Sequence, residues 1–180
     1  MKWALIISIV VLIMFFVLGF LFYATYTPSY QKNDITNPVR VSTGNNSNQK
    51  VNLVVNEQYI SYIINEMGGY KLKSYMGNPK IQVEVDKDKF NSEVTRGKIV
   101  TKRGEASEPD LIIRTSKDEV LSCIVAKNPS QYIKNSVANG NTQIELVASY
   151  TVLFARGYLN LYKDVTGKTL TGSVIKVFDS

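Results

Sequence analysis

The sequence predicts an α+β protein: an N-terminal transmembrane helix followed by one domain in which helices cover an antiparallel sheet. The first supporting observation is an apolar run with no charged residue between Lys2 and Lys32. The second is a series of short segments within residues 81–114 in which apolar and polar residues alternate, as in half-buried strands. The third is a change after Thr115, where apolar residues recur at helical spacing.

The apolar run from Trp3 to Tyr26 predicts a single-pass signal-anchor over residues 1–26. A helix of these 24 residues is about 36 Å long, and the hydrocarbon core of a bilayer is about 30 Å thick. A cleaved signal peptide has a shorter apolar core. A helix in a soluble core would show a polar stripe, and none occurs before Thr25. We therefore expect the lipid bilayer to be a partner of residues 3–26.

The charges near the predicted anchor do not decide its orientation, because Lys2 on one side faces Lys32 and Arg40 on the other. A very short tail with a lysine is usual for anchors that keep the N-terminus in the cytoplasm. Residues 45–47, Asn-Asn-Ser, form a glycosylation sequon, which is consistent with an exposed exterior. We expect a cytoplasmic N-terminus and a domain outside the membrane.

Residues 27–50 form the predicted flexible linker. They contain Pro28, Pro38 and a Gly-Asn-Asn-Ser-Asn cluster, with few apolar residues. A free coil of about 24 residues spans roughly 25 to 30 Å. Residues 51–180 are enough for one compact domain and too few for two of ordinary size. We expect one α+β domain on a tether.

The sequence of the first half of the domain predicts one helix and several strands. The first strand is expected at residues 51–55. In residues 56–67 the apolar residues lie at helical spacing, with Asn56 as a cap and Gly68 and Gly69 at the end. Further strands are predicted at residues 81–85, 90–95, 98–103 and 111–114. Four short strands in series indicate an antiparallel meander.

The second half predicts mainly helices. Ser116, followed three residues later by a glutamate, has the spacing of a capping box and predicts a helix. Pro129 suits the first position of the next helix. A last strand is expected over residues 141–147 and a longer helix over residues 148–162. The tail after it, residues 167–180, either adds an edge strand or remains mobile.

The composition excludes several kinds of site. The chain contains no histidine and one cysteine, Cys123, so Ser-His-Asp triads, Cys-His nucleophiles and His-ligated metals are excluded. Cys123 lies on the apolar face of a predicted helix, where a free thiol behaves as a small hydrophobe. The net charge of +6 is not gathered into a block of basic residues, so no nucleic acid partner is expected. We expect no catalytic residue, no metal and no cofactor.

The order of these elements resembles the sterol carrier protein 2 (SCP2) family. The family's strand, acidic turn, apolar strand and Ser-capped helix are matched by residues 97–121, GKIVTKRGEASEPDLIIRTSKDEVL. Its helix, glycine-marked turn and strand are matched by residues 128–147, NPSQYIKNSVANGNTQIELV. The resemblance covers residues 56–165. It implies an apolar cavity between a curved sheet and its helices, which in the family accepts lipids or acyl chains or, in some members, has become a partner surface.

Apolar residues of the predicted helices are the candidates for lining such a cavity. They are Leu121, Ile124, Val125, Tyr132, Ile133, Val137, Tyr150, Leu153, Phe154 and Tyr158. The same residues would serve equally well as a closed core, since apolar helix faces more often pack a core than line a ligand site. The tyrosines among them favour a cavity mouth or an interface, because their rings carry a polar tip.

Two functions follow from these expectations. The first is a membrane-tethered module that binds a lipid or fatty-acyl ligand and presents or senses lipids near its own membrane. The second is a non-catalytic structural or assembly subunit of a membrane or cell-surface complex, with membrane proteins as partners. An enzyme is not expected, because the available carboxylates lie in predicted turns, where solvated acidic residues are the rule: Asp86, Asp88, Glu105, Glu108 and Asp110.

Overall fold

A computed structural model of the chain describes residues 2–25, 32–38 and 54–169, and in the first of these ranges it describes side chains only at residues 8–19. The first range is helix α1, Lys2–Thr25, which is 24 residues long. Over the described residues, no helix combines the length and the apolar character needed to cross a membrane. The transmembrane role of residues 1–26 therefore stays a prediction.

A five-stranded mixed sheet forms the centre of the domain, in the order β3-β2-β1-β4-β5. The strands are β1 Lys80–Val85, β2 Asp88–Thr95, β3 Lys98–Arg103, β4 Leu111–Thr115 and β5 Gln143–Leu146. Side chains alternate between the two faces. Ile81 and Val83 of β1 are buried on one face. On the other face, Arg114 of β4 donates to Glu84 of β1 at 3.0 Å, so one side of the sheet faces the core and the other is charged.

The predicted antiparallel meander is correct for three strands and wrong for the fourth. β1, β2 and β3 pair antiparallel, but β4 pairs parallel with β1. The reason lies at the start of both strands. The Asp110 N–H donates to the Lys80 carbonyl at 2.9 Å, and the Lys80 N–H donates to Asp110 Oδ2 at 2.9 Å. These bonds place the first residues of β1 and β4 side by side, so the two strands run in the same direction.

Helices pack on the apolar face of the sheet, and their caps agree with the sequence. The bounds are α2 Glu57–Glu66, α3 Lys117–Val125, α4 Pro129–Ala138, α5 Tyr150–Arg156 and α6 Tyr158–Thr166. The side chains of Asn56, Ser116 and Asn128 each accept a backbone N–H in the first turn of α2, α3 and α4. Such caps stabilise a helix by about 1 kcal/mol each.

The single helix predicted over residues 148–162 is wrong, because the chain forms two short helices there. Gly157 separates α5 from α6 and has a φ of +84°, a left-handed conformation that ends a helix. The two helices can therefore point in different directions. Leu153 of α5 and Tyr158 of α6 are both fully buried.

Two other expectations fall largely outside the described residues. The first strand was expected at residues 51–55; positions 51–53 are not described, and Val55 is buried without forming a strand. Of the tail, residues 170–180 lie outside the described part of the chain.

Part of the predicted linker lies against the domain. Asn33, within the segment 32–38, accepts from Asn65 Nδ2 of α2 through its carbonyl at 3.1 Å. Asn37 Nδ2 donates to the Ile124 carbonyl at the end of α3, at 2.6 Å. The segment thus bonds two helices, through the Asn33 carbonyl and the Asn37 side chain, so residues 32–38 differ from the free coil that the composition predicts. We call this segment the strap.

Candidate ligand site

An apolar cavity lies between the sheet and helices α2, α3 and α4. It measures about 30 Å³, enough for about two water molecules. Its apolar lining comes from α2, from β1 and β4, and from α3 and α4: Ile60, Ile63, Ile64, Met67, Val83, Ile113, Val120, Cys123 and Ile133. The polar residues that line it belong to one hydrogen-bonded network, so the cavity has an apolar wall and a polar end.

The polar end is a hydrogen-bonded network around Glu119 of α3. Its Oε2 accepts from the Tyr132 hydroxyl at 3.0 Å and from Ser136 Oγ at 2.7 Å. Ser136 in turn shares a hydrogen bond of 2.7 Å with Thr142, and Thr142 one of 2.9 Å with Thr115 on β4. The network joins α3, α4 and the sheet across one end of the cavity, and it holds α4 in place.

The sole cysteine lies in the cavity wall as a neutral thiol. Burial, together with the nearby carboxylates of Glu66 and Glu119, raises the pKa of Cys123 to about 12. A thiol with so high a pKa is a poor nucleophile at neutral pH. Burial likewise raises the pKa of the Tyr132 hydroxyl. The interpretation of Cys123 as an unreactive apolar group agrees with this environment, and its modification by a small reagent would report access to the cavity.

Replacing Glu119 with alanine is expected to loosen α4. The substitution removes the shared acceptor of Tyr132 and Ser136, and a network bond to a charged group contributes about 2 kcal/mol to the free energy of unfolding. We expect a loss of this size in urea unfolding, with faster modification of Cys123 by methyl methanethiosulfonate. Asp118→Ala, at an exposed position of the same turn, is the control. Equal modification rates in both variants would show that the network does not keep the cavity closed.

A second polar cluster is structural. Asp110 is 3% exposed. Arg156 Nη1 of α5 donates to both of its carboxylate oxygens, at 2.5 and 2.6 Å. The Tyr158 hydroxyl of α6 also donates to it, at 3.1 Å. Burial and the Asp110 charge raise the pKa of that hydroxyl. Arg156 Nη2 donates to the Met76 carbonyl. The cluster therefore ties the beginnings of β1 and β4 to the C-terminal helices.

The ten predicted lining residues fall into three groups. Two of them, Tyr132 and Ile133, line the cavity. Five are packed in or against the core beside it: Leu121, Ile124, Val137, Leu153 and Tyr158. The remaining three are exposed at the surface: Val125, Tyr150 and Phe154. The structure brings α4 residues to the cavity but places those of α5 and α6 elsewhere.

Sequence reasoning missed the contribution of α2. Ile60, Ile63, Ile64 and Met67 line the cavity, and the same residues were the signal that predicted an amphipathic helix. Glu119 was recognised only as part of a capping box, in which its backbone N–H does bond Ser116 Oγ at 3.2 Å. A charged residue on the inner side of an otherwise apolar helix was the available sign of its second role.

Metal-binding groups were not expected from the composition. Within residues 2–25, 32–38 and 54–169, no cluster of acidic residues and cysteine has the arrangement of a metal site. Asp110 is buried with an arginine, while Asp86, Asp88, Glu105 and Glu108 are exposed.

Comparison with known proteins gives structural matches of low similarity. UbiJ-SCP2, a ubiquinone synthesis protein, matches with a TM-score of 0.32 and 10% identity, over 46% of this chain and 67% of that one. Palmitated SCP2L2 from Aedes aegypti matches with a TM-score of 0.33 and 12% identity, over 54% and 87%. The sec-alkylsulfatase Pisa1 from Pseudomonas sp. matches with a TM-score of 0.35 and 7% identity, over 66% of this chain and 17% of that enzyme.

No protein-family model and no curated protein matches the chain. Two of the three structures above are SCP2-type domains, the family that the sequence resembles. TM-scores this low carry no further argument.

Proposed function

We propose that the domain binds a single acyl chain, as a fatty acid or a single-chain lipid, in the cavity between the sheet and helices α2, α3 and α4. The observation that carries the proposal is the composition of the cavity wall: nine apolar or thiol side chains and one polar network centred on Glu119. An apolar pocket with a few convergent polar groups is the usual form of a small-molecule site. The proposed role is binding without catalysis.

The cavity is closed in the structure. Its volume of about 30 Å³ is far below the roughly 300 to 1,000 Å³ of typical ligand pockets. An acyl chain therefore enters only if a helix moves outward. We assign this movement to α4, because it forms a wall of the cavity at Ile133 and is joined to α3 through the Glu119 network.

The proposed binding takes place next to the membrane. The uncharged run of residues 3–26 supports α1 as a signal-anchor, and the short tail with Lys2 and the sequon at residues 45–47 support a cytoplasmic N-terminus. The domain then presents or senses lipids outside. Two measurements test this placement: resistance of the full-length chain to alkaline carbonate extraction, and a mobility shift from glycosylation that Asn45→Gln removes. A chain released by carbonate would contradict the anchor.

Photo-crosslinking tests whether the cavity takes a lipid. The full-length chain in phosphatidylcholine nanodiscs is irradiated with palmitic acid that carries a diazirine on the acyl chain. We expect adducts on the tryptic peptide of residues 118–127, which contains Val120 and Cys123, and protection of Cys123 from methyl methanethiosulfonate by unlabelled palmitic acid. Adducts spread evenly over exposed peptides would overturn the proposal.

A cavity-filling substitution supplies the matched comparison. Val120 is 2% exposed in the cavity wall, while Val100 is 44% exposed on β3. Val120→Phe is expected to reduce labelling of residues 118–127 about tenfold, because the ring occupies the space, at a loss of about 1–3 kcal/mol in stability. Val100→Phe is expected to leave labelling unchanged. Circular dichroism of both variants shows that the fold is retained.

An assembly subunit is the second candidate function, and one observation favours it. Tyr150 and Phe154 of α5 stack with ring centroids 6.4 Å apart, and they are 42% and 69% exposed. Exposed aromatic pairs of this kind are common at protein interfaces. Loss of a co-purifying membrane protein in Phe154→Ala, with lipid labelling intact, would support this alternative.

A further inference from the structure

A second, polar cleft lies beside the apolar cavity, between the end of α2, α4 and α6. Its volume is about 340 Å³. Three lysines line it, Lys32 from the strap, Lys71 after α2 and Lys134 from α4, together with the acidic residues Glu66 and Asp164. Its lining is therefore mostly polar, in contrast to that of the apolar cavity.

The lysines of the cleft are not equivalent. Lys32 Nζ lies 2.7 Å from Glu66 Oε1, and Lys71 Nζ lies 3.4 Å from Asp164 Oδ2. Lys134 has no ion-pair partner in the part of the chain that the structure describes, and it is exposed to the cleft on α4. The cleft thus carries one uncompensated positive charge, which favours an anionic ligand group.

A buried amide also faces the cleft with an unused acceptor. Asn65 is 1% exposed. Its Nδ2 donates to the Asn33 carbonyl at 3.1 Å, but its Oδ1 has no hydrogen-bond partner among the described residues. An acceptor left unpaired in such a position destabilises the folded state. A ligand whose hydroxyl group donates a hydrogen bond to Asn65 Oδ1 would satisfy this acceptor.

The polar cleft and the apolar cavity share two lining residues, Met67 of α2 and Ile133 of α4. These side chains form the partition between the two spaces. Met67 is flexible and unbranched, a type of side chain that adapts readily to a new neighbour. A molecule with one apolar chain and one polar head can therefore occupy both spaces when α4 moves.

We propose that the polar cleft binds the head group of a single-chain glycerophospholipid, with its phosphate at Lys134 and its free glycerol hydroxyl donating to Asn65 Oδ1. The acyl chain passes between Met67 and Ile133 into the apolar cavity. This inference rests on the proposed function and adds the class of ligand. A single chain matches the one apolar space, and an anionic head matches the charge of the cleft.

The test uses the full-length chain in phosphatidylcholine nanodiscs and three probes that carry the same diazirine acyl chain. They are lysophosphatidic acid, lysophosphatidylcholine and 1-acyl-propanediol phosphate, which lacks the hydroxyl. We expect lysophosphatidic acid to label residues 118–127 about tenfold more than the choline lipid, because its monoester phosphate carries more negative charge and no choline cation lies near Lys134. We expect about fivefold more labelling than with the probe that lacks the hydroxyl, which cannot donate to Asn65 Oδ1.

Variants locate the head group. Lys134→Gln is expected to reduce labelling by lysophosphatidic acid about tenfold, while Lys102→Gln, at an exposed position on β3 outside the cleft, leaves it unchanged. Equal labelling by all three probes, or an unchanged Lys134→Gln, overturns the head-group site and leaves the cavity proposal standing. Glycerol 3-phosphate that competes as strongly as the lipid overturns the lipid assignment. Absence of labelling by every probe overturns both proposals.

Discussion

Replacing Arg156 with leucine is expected to lower the free energy of unfolding by about 3–5 kcal/mol, because it leaves a buried carboxylate without its counter-ion. Asp110 and Arg156 are paired at 2.5 Å, with side chains only 5% and 14% exposed. The loss should appear as a lower urea midpoint for the full-length chain, with the folded fraction at each urea concentration measured by pulse proteolysis. It approaches the whole stability of many domains of this size.

Arg114→Leu is the matched control. Arg114 also contacts two carboxylates, Glu84 at 3.0 Å and Glu145 at 2.5 Å, but its side chain is 44% exposed. Solvent screens such pairs, so the expected loss is at most about 1 kcal/mol. Equal losses in Arg156→Leu and Arg114→Leu would contradict the structural role assigned to the buried pair.

A double variant separates a lost contact from an uncompensated charge. Asp110→Asn combined with Arg156→Leu removes both charges, so it should be more stable than Arg156→Leu alone. The amide keeps an oxygen that can accept from the Lys80 N–H and from Tyr158, as Asp110 does at 2.9 and 3.1 Å. A double variant no more stable than Arg156→Leu would indicate that the lost bonds, and not the uncompensated charge, carry the effect.

The elements that the sequence predicts well are those determined by local residues. Asn56, Ser116 and Asn128 cap their helices through bonds to residues two or three positions away. The alternation in β1 likewise follows from neighbours along the chain, since successive side chains of a strand point to opposite faces.

The parallel pairing of β4 depends on a contact between distant positions. Asp110 and Lys80 are separated by 30 positions in the sequence, and the alternating pattern of a strand does not name its partner. Asp110 itself appears in the sequence as an acidic turn residue. Its burial depends on contacts with Arg156 and Tyr158 of the C-terminal helices, which are distant in the sequence.

The sequence predicts the type of the candidate site better than the residues that line it. An apolar space between sheet and helices exists, and Tyr132 and Ile133 line it. The expectation for Phe154 depended on one long helix after residue 148. Since Gly157 divides that segment, α5 instead leaves Phe154 exposed at the surface. Periodicity identifies the apolar face of a helix, but the direction of the helix decides what that face contacts.

The Cys123 thiol is expected to make the domain sensitive to alkali. Its pKa is 9.0 in a model thiol and about 12 in the fold, so the folded state holds the proton more tightly. The stability that this neutral thiol contributes is complete below pH 9 and is lost as the pH rises from 9 to 12. Three pKa units correspond to a loss on the order of 4 kcal/mol.

Cys123→Ala isolates this effect, because the raised pKa of Tyr158 acts equally in both proteins. At pH 8 the variant should be less stable by about 1–2 kcal/mol, since the smaller side chain enlarges the cavity. The wild-type chain then loses about 1.4 kcal/mol more than the variant for each unit above pH 9. Urea unfolding at pH 8, 10 and 11 should therefore give stability curves that cross near pH 10. Parallel curves over this range would mean that the thiol is solvated, and that Cys123 does not lie in a dry cavity wall.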